Sequence, residues 1–307
     1  MQRNHTKLGG AFILLAMLIL GFIDNFFVEI SKDGGLWQFH VTRTLMALPM
    51  FWVVARLSGQ SLRPKNLPML AARSLVLSVG LLIYFGGLGF LPIAQVGAGL
   101  FTSPIWMLVF SMLFFGVRVG PWRVLAMALG FAGVLAILRP EASALSGLSL
   151  VPLLAGAFYA LGMLATRYWC GPENALVLTA GLFVALGLWG GAGLIGFTFW
   201  PASGAEGEAG FVLRGWATPT PRFLFWSFVQ AVGSLAAVIL ISRAYQLGEA
   251  SFIAVFEYSF LIFAAFWAWV LWGQGVDLLG ALGIAAIIFS GGVIALRGRD
   301  AVAGAAT

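Results

Sequence analysis

The sequence predicts an all-α integral membrane protein, in which ten transmembrane helices form two inverted five-helix repeats around a central cavity. Three observations lead to this prediction. The chain of 307 residues is 61% hydrophobic and only 9% charged, whereas soluble domains carry about a quarter charged residues. Apolar stretches of about 20 residues, the length that crosses a bilayer, recur along the chain. A weak internal duplication relates the two halves.

The basic balance of the chain is a topology signal and not a sign of nucleic-acid binding. The formal net charge is +6, but the basic residues are spread singly and form no dense patch. Scattered Lys and Arg residues beside apolar spans mark one side of a membrane. So few charges exclude a cytoplasmic enzyme, a secreted disulfide protein and a nucleic-acid-binding domain, and they make the lipid bilayer the expected solvent.

Ten apolar segments are long enough to span a membrane. The first follows Arg3 and Lys7 in the manner of a signal peptide, but it meets Asp24 and Asn25 without a small-residue cleavage site, which indicates a retained helix. The segment 199–221 is rich in Gly, Pro, Ser and Glu and is predicted to be a solvated loop. The predicted spans are residues 8–30, 36–56, 68–89, 92–115, 121–138, 147–167, 175–198, 222–246, 250–272 and 276–296.

The positive charges orient these spans. If the N-terminus is cytoplasmic, twelve basic residues fall on the cytoplasmic side, against Lys32, Arg139, Arg214 and Arg222 on the outer side. Because cytoplasmic loops carry the excess of Lys and Arg, both termini are predicted to face the cytoplasm and the number of spans is even. The twelve are Arg3, Lys7, Arg56, Arg63, Lys65, Arg73, Arg118, Arg123, Arg167, Arg243, Arg297 and Arg299.

A duplication maps the fourth and fifth spans onto the ninth and tenth. A shift of 159 residues aligns residues 88–137 with residues 247–296. Five spans per half is an odd number, so the two halves must have opposite orientations. Inverted repeats of this kind place a solute site near the bilayer midplane, between the halves. We therefore predict one membrane domain with an N-terminal half, residues 1–140, and a C-terminal half, residues 141–307.

Four stretches, in order along the chain, resemble the EamA-type transporters of the drug/metabolite transporter superfamily. Gly21 to Arg43 (GFIDNFFVEISKDGGLWQFHVTR) is similar to the opening of these proteins, and Tyr84 to Pro104 (YFGGLGFLPIAQVGAGLFTSP) to their link between helices three and four. Gly147 to Arg167 resembles their sixth helix. Ala244 to Tyr258 (AYQLGEASFIAVFEY) resembles the signature of their second half.

Within this family the chain looks most like the bacterial aromatic amino acid exporters. The resemblance implies a multi-pass protein of the bacterial inner membrane that moves amino acids outward. The chain departs from the family pattern where a Gly-Glu pair is common, since Gly116-Val117 and Gly273-Gln274 stand there. Val255 occupies the position of a common proline. These positions concern local turns and leave the predicted fold unchanged.

Charged residues inside the spans are the first functional candidates, because a charge at mid-depth costs about 3 kcal/mol. Glu257 is predicted to bind the ammonium group of an amino acid or a proton, and Arg43 to bind the carboxylate. The alternative is that these two residues are buried partners, or reach toward water, and only fix helix packing. Asp24 and His40 are further candidates for coupling or gating, with a hydrogen-bonded interfacial histidine as the alternative for His40.

The fourth span carries Gln95, Gly99, Thr102 and Trp106 at spacings that place all four on one helical face. Such a stripe suits a small amphipathic solute with an aromatic part, and contact between helices is the alternative for Thr102. Pro104 is predicted to interrupt this span. Five other spans supply the remaining predicted substrate-binding residues, which are Leu18, Phe22, Asn25, Ser78, Tyr84, Tyr159, Met163, Gln230, Ser234, Glu257 and Tyr258.

Together these features favour a secondary or facilitative carrier that exports aromatic and other apolar amino acids by alternating access. Export of other small metabolites or of cationic drugs is the alternative within the same superfamily. A membrane-embedded enzyme is disfavoured, because the chain has two histidines, Cys170 as its one cysteine and no cluster of carboxylates suited to a metal.

A channel would need a polar stripe through the full depth of the membrane, and the polar residues concentrate near the middle and the outer half. The expected partners are a small-molecule substrate, namely an amino acid, and the lipid bilayer. No catalytic residue, metal, cofactor or nucleic acid is expected, and the oligomeric state stays open.

Overall fold

Helices make up all the regular secondary structure in the residues that the computed structural model describes, which are 6–87, 91, 93–117, 119–140, 147–202 and 210–297. A 3-10 turn at Gly147–Leu150 precedes the eighth of these helices. The helices are α1 (Thr6–Asp24), α2 (Phe27–Asp33), α3 (Leu36–Ser58), α4 (Leu67–Gly87), α5 (Ile93–Leu100), α6 (Ser103–Phe115), α7 (Pro121–Leu138), α8 (Val151–Tyr168), α9 (Ala175–Phe199), α10 (Gly210–Leu213), α11 (Pro221–Leu247), α12 (Ala250–Glu257), α13 (Ser259–Trp272) and α14 (Leu278–Arg297).

The described residues include eight helical stretches that are long and apolar enough to cross a membrane. Two further long helices are not among them, α3 with 23 residues and α8 with 18. The predicted multi-pass membrane protein is therefore confirmed. The eight stretches are Thr6–Asp24, Leu67–Gly87, Gln95–Phe115, Pro121–Leu138, Ala175–Phe199, Pro221–Leu247, Ala250–Trp272 and Leu278–Leu296.

The long helical stretches, among them α5 with α6 and α12 with α13 as one stretch each, run alternately between two ends of the bundle. At one end Arg123 forms a salt bridge with Glu249, and we call this the Glu249 end. At the opposite end Asp33 forms a salt bridge with Arg222 at 2.6 Å, and we call this the Asp33 end. α1 begins at the Glu249 end and α14 finishes there.

The first predicted span, residues 8–30, is wrong as one continuous helix, because the chain divides into α1 and α2 at Asn25. The Asn25 amide donates hydrogen bonds to the backbone carbonyl of Gly21 at 2.6 Å and to that of Ala264 at 3.3 Å. The first bond satisfies a carbonyl that the end of α1 leaves free, and the second ties the break to α13.

Two other predicted spans are broken near their middle. Phe101 and Thr102 separate α5 from α6, and Tyr258 separates α12 from α13. Pro104 lies in the first turn of α6, so the interruption predicted there is confirmed. The Thr102 hydroxyl donates a hydrogen bond to the Gly99 carbonyl at 2.6 Å, which satisfies one of the backbone groups freed by the break.

Small residues allow the helices to approach closely where they pack in pairs, α1 on α11, α3 on α9, α4 on α8 and α7 on α14. A Cβ atom on Gly80 of α4 would come within 2.9 Å of the Tyr159 backbone in α8. Gly133 of α7 and Gly283 of α14 face each other in the same manner. Close backbone approach is how membrane helices gain packing contacts without a hydrophobic driving force.

Several predicted features lie outside the described residues. They include the basic residues Arg3, Arg118 and Arg299 of the charge count. Residues 88–90 begin the duplicated segment and also lie outside, whereas the stretch of the duplication from 93 to 117 is described.

Candidate functional site

A cavity of about 160 Å³ lies between helices of the two halves of the chain, beside the breaks at Phe101 and Tyr258. Its walls come from α1, α3, α4, α8, α9, α11, α12 and the residues around both breaks. Most wall residues are apolar. The polar and charged side chains among them are Asp24, Arg43, Tyr84, Ser103, Tyr159, Gln230, Ser234 and Glu257.

Glu257 is held at the last position of α12, just before the helix break. The hydroxyls of Tyr159 on α8 and Tyr245 on α11 both donate hydrogen bonds to Glu257 Oε1, at 2.8 and 2.9 Å. Only 4% of the Glu257 surface is exposed. No ion pair of Glu257 occurs within the described part of the chain, so the alternative that Glu257 and Arg43 are direct partners is wrong.

Arg43 holds its guanidinium between two aromatic rings, at 4.9 Å from the Phe39 centroid and 5.0 Å from the Phe183 centroid. One of its nitrogens lies 3.3 Å from His40 Nδ1. Its Nε atom is buried and has no hydrogen-bond partner among the residues described. A buried guanidinium without a carboxylate at salt-bridge distance has unused donors that suit an incoming anion.

Asp24 forms a second polar edge of the cavity, together with two residues of α11. The Gln230 amide donates hydrogen bonds to the Asp24 carboxylate at 3.2 Å and to the Ile23 carbonyl at 3.0 Å. The Ser234 hydroxyl donates to the carbonyl of Gln230. This edge connects the end of α1 to the middle of α11.

Aromatic rings cover much of the remaining wall. The Phe101 and Phe260 centroids are 5.8 Å apart, and the Tyr84 and Phe85 centroids are 5.1 Å apart with the rings edge to face. Rings in such positions can pack against an aromatic solute for about 0.5–1.5 kcal/mol per pair. The cavity therefore combines charges of both signs with an aromatic surface.

The structure brings many of the residues predicted from the sequence into this cavity. Residues of α1, α3, α4, α8, α11 and α12 contribute. His40 contacts Arg43 but is not itself part of the cavity wall. The predicted residues in the wall are Asp24, Arg43, Tyr84, Tyr159, Met163, Gln230, Ser234 and Glu257.

The predicted stripe of the fourth span lies outside the cavity wall. A Cβ atom on Gly99 would come within 2.2 Å of the Pro152 side chain, so Gly99 is a helix contact between α5 and α8. Thr102 contacts Gly156, which also belongs to α8, and the Trp106 ring stacks on the Phe110 ring with the centroids 5.5 Å apart. Gln95 is buried. The stripe assumed a continuous helix, and the break at Phe101 turns another face toward the cavity.

Three predicted residues of the first span join α1 to α13. The Trp267 indole donates a hydrogen bond to the Leu18 carbonyl at 3.2 Å, and its ring meets Phe22 edge to face at 5.0 Å. Asn25 bonds the Ala264 carbonyl, as described above. The structure thus places Leu18, Phe22 and Asn25 in a contact between helices.

Two further predicted residues also lie in helix contacts. The Ser78 hydroxyl accepts a hydrogen bond from the Trp189 indole at 3.2 Å, which joins α4 to α9. Tyr258 is fully buried, and its ring occupies the space that a side chain at Gly130 of α7 would need. Neither side chain is part of the cavity wall.

Sequence reasoning missed Tyr245, the second phenol that holds Glu257. It lies inside the family-like stretch AYQLGEASFIAVFEY, but the turn between α11 and α12 separates it from Glu257, so no helical spacing connects them. Arg73 was also missed, because it was counted only as a boundary charge. It is fully buried and donates hydrogen bonds to Thr166, to the Leu178 carbonyl and to Ser242.

The Gly99 contact predicts a large effect of a small substitution. Gly99→Ala should lower the stability of the protein by about 1–3 kcal/mol, because the added methyl group collides with Pro152 of α8. The measurement is the thermal unfolding midpoint in detergent. Gly86→Ala is the matched control, since a Cβ atom at Gly86 meets open space. Equal midpoints for the two variants would contradict the close contact.

A bundle of membrane helices with unpaired charges around a cavity between its halves is the arrangement of a solute transporter. The EamA-like transporter family matches residues 7–139 of the chain. The match supports, over residues 7–139, the resemblance to EamA-type transporters that the sequence predicts.

Known proteins extend the likeness over most of the chain. The chain is 26% identical to the riboflavin transporter of Rhizobium johnstonii, over 87% of its own length and 81% of that relative. It is 25% identical to the pseudopaline exporter CntI of Pseudomonas aeruginosa, over 92% and 94%. A crystal structure with 16% identity aligns with a TM-score of 0.78, over 97% of this chain and 99% of its own, and supports the fold.

Proposed function

We propose that the chain exports amino acids, aromatic and other apolar ones, as a ten-span carrier that works by alternating access. The observation that carries the proposal is the cavity, in which Glu257 and Arg43 lie on different helices and contact other partners, the Tyr159 and Tyr245 hydroxyls and His40 respectively. A zwitterion offers an ammonium group to a carboxylate and a carboxylate to a guanidinium. The aromatic wall then accommodates an apolar or aromatic side chain.

The size of the cavity favours small solutes. Sites for drug-sized ligands measure about 300–1,000 Å³, and this cavity holds about 160 Å³. The relatives are named for riboflavin and pseudopaline, and other small metabolites or cationic drugs are the second candidate. Two carboxylates in the wall, Asp24 and Glu257, favour that candidate for cationic solutes, so the substrate test includes them.

The packing of the helices supports two repeats of five spans. In chain order the spans are α1 with α2, α3, α4, α5 with α6, α7, α8, α9, α11, α12 with α13, and α14. If each span is replaced by the span five places along, counting from ten back to one, span 1 becomes span 6 and span 8 becomes span 3. Spans 1 and 8 pack together, and so do spans 6 and 3. Pairs 1–9 and 6–4, and pairs 2–8 and 7–3, correspond in the same way.

Two of the other contacts, 2–7 and 5–10, map onto themselves under that shift. The breaks correspond as well, since the fourth span divides at Phe101 and the ninth at Tyr258. Five helices per repeat reverse the orientation of the second repeat, which is the arrangement that permits one half to rock against the other around a central site.

The charges support an orientation with both termini in the cytoplasm. Among the described residues, Lys7, Arg56, Arg63, Lys65 and Arg243 lie at the Glu249 end, together with the buried Arg73 and Arg123 and the partly buried Arg167. The Asp33 end has Lys32, Arg139, Arg214 and Arg222. By the excess of positive charge inside, the Glu249 end faces the cytoplasm of a bacterial cell and the Asp33 end faces outward.

Substrate transport by the purified protein in liposomes tests this proposal. We expect saturable uptake of radiolabelled phenylalanine, tyrosine, tryptophan, leucine and methionine, and weak uptake of aspartate and lysine. Riboflavin and a lipophilic cation serve as comparison solutes. Saturable transport of one of these two without transport of any amino acid would overturn the proposed substrate and favour the second candidate.

A further inference from the structure

The residues just before α11, from 210 to 220, lie at the Asp33 end of the bundle. The sequence predicts a solvated loop over residues 199–221, and this prediction is wrong for residues 210–212, which are buried. Phe211 is 7% exposed and Val212 is 8% exposed. Two apolar side chains of a loop are thus buried at the end of the bundle where the proposed carrier releases its solute.

Phe211 and Val212 form a wedge between α2, α3 and α4. The wedge packs with buried Leu36 and with the partly buried rings of Trp37 and Phe85. The Phe211 ring meets Phe27 edge to face, with the centroids 5.5 Å apart. Burial of a large apolar side chain removes its surface from water, which lowers the free energy. The loop would lose this gain if the two side chains became exposed.

A short chain of rings connects this wedge to the cavity. The Phe27 and Phe85 centroids are 5.3 Å apart, and Phe85 is part of the cavity wall. Phe85 also meets His40 at 5.4 Å, next to Arg43. Displacement of the wedge therefore frees the side of Phe85 that faces the Asp33 end.

Hydrogen bonds from α3 hold the backbone of the segment. The Trp37 indole donates to the Val212 carbonyl at 2.7 Å. The Gln38 amide nitrogen donates to the Ala217 carbonyl at 2.7 Å, and the Gln38 oxygen accepts from the Ala217 N–H at 3.0 Å. Gln38 is fully buried, so this pair of hydrogen bonds fastens the segment to the start of α3.

A firmer anchor follows at the start of α11. The Arg222 guanidinium donates two hydrogen bonds to Asp33, at 2.6 and 2.9 Å, and the Thr220 hydroxyl donates a third at 2.5 Å. The bonds from Arg222 and then from Thr220 lower the pKa of Asp33 to about 2. The carboxylate is therefore ionised at neutral pH and keeps this anchor in place.

We propose that residues 210–217 are a lid that closes the cavity at the Asp33 end and that opens to release the solute. The wedge of Phe211 and Val212 moves away from Phe27 and Phe85, while the Asp33 anchor holds the other end of the segment. This inference rests on the proposed carrier, but its test below needs no substrate.

Labelling of a cysteine in the cavity tests the lid. The background is Cys170→Ala, which removes the one native cysteine, and the reporter is Ser234→Cys in the cavity wall. The protein is placed in lipid nanodiscs and labelled with a hydrophilic maleimide. Phe211→Ala should raise the labelling rate on the order of tenfold, a shift of about 1.4 kcal/mol in the opening equilibrium.

Trp37→Phe is the milder variant, because it removes the donor to Val212 and part of the indole ring but leaves Phe211 and Val212 in place, and it should raise the rate less than Phe211→Ala does. Trp216→Ala is the matched control, since this residue lies in the same segment with 57% of its surface exposed, and it should leave the rate unchanged. Unchanged labelling in both Phe211→Ala and Trp37→Phe would overturn the lid. Failure of amino acid uptake in the parent protein, with lid-dependent labelling intact, would overturn the proposed substrate instead.

Discussion

Glu257→Gln is expected to lower the saturable transport of amino acids by about tenfold to 100-fold. The variant keeps the size of the side chain and both phenol neighbours but removes the charge that receives the ammonium group. A hydrogen bond to a charged group is worth about 1.5–3 kcal/mol, which corresponds to about tenfold to 100-fold in binding. The measurement is the initial rate of phenylalanine uptake as a function of concentration in liposomes.

Asp277→Asn is the matched control for Glu257→Gln. Asp277 is an exposed carboxylate at the Asp33 end that pairs with Arg139 and is not part of the cavity wall. Its loss should leave transport within about twofold of the parent, because an exposed ion pair contributes little. Parental transport in Glu257→Gln would contradict a substrate-binding carboxylate and leave Glu257 as a packing residue.

The same variant tests proton coupling. If Glu257 carries the proton, Glu257→Gln should abolish the acidification per amino acid transported, while the remaining, slower exchange of amino acid across the membrane persists. A pH-sensitive dye inside the liposomes measures the proton movement. Unchanged acidification in Glu257→Gln would exclude Glu257 as the coupling group and direct attention to Asp24, which also lines the cavity.

Arg43→Gln is expected to lower transport by a similar factor, about tenfold to 100-fold, because the carboxylate of the solute loses its cationic partner. The two single variants should also change selectivity in opposite directions. Without Arg43, phenylethylamine, which has no carboxylate, should compete nearly as well as phenylalanine. Without Glu257, phenylpropionate, which has no ammonium group, should gain in the same way. The measurement is inhibition of labelled phenylalanine uptake by each analogue.

Arg56→Gln is the matched control for Arg43→Gln. Arg56 belongs to the same helix and also lies over an aromatic ring, at 5.2 Å from the Trp52 centroid, but it is exposed at the Glu249 end. We expect transport by Arg56→Gln to equal that of the parent. Equal losses in Arg43→Gln and Arg56→Gln would mean that the effect comes from helix stability or surface charge, and not from a solute site.

The long apolar helices of this chain were predictable because the signal is local. A run of about 20 apolar residues is most stable as a helix in a lipid bilayer. Each predicted segment corresponds to one or two helices of the structure. The break at Phe101 was partly predictable, since Pro104 cannot continue a helix without loss of a hydrogen bond. The break at Asn25 was not, because it depends on the Ala264 carbonyl of a distant helix.

The charged part of the cavity was predictable for an energetic reason. A charge inside a membrane span costs free energy, so the few that occur mark functional sites. Asp24, Arg43 and Glu257 all lie in the cavity wall. The stripe beginning at Gln95 was misplaced, because helical spacing predicts which residues share a face and not which neighbour that face meets. Gly99 faces Pro152, and no sequence pattern connects these two residues.

The burial of Phe211 and Val212 could not be predicted from the sequence, for another reason. Phe211 and Val212 are two apolar residues in a stretch dominated by Gly, Pro, Ser and Glu. So short an apolar run has no periodicity that predicts burial. Their environment comes from Phe27, Leu36 and Phe85, which belong to three other helices.

Counterflow of labelled phenylalanine before and after blocking the cavity tests the central claim most directly. Liposomes are loaded with unlabelled phenylalanine and contain the Cys170→Ala protein with Ser234→Cys in the cavity wall or, as a control, with Ser58→Cys, an exposed position at the end of α3. We predict transient accumulation of label in both, which N-ethylmaleimide abolishes only in Ser234→Cys. Counterflow that survives complete modification of Ser234→Cys would contradict transport through this cavity.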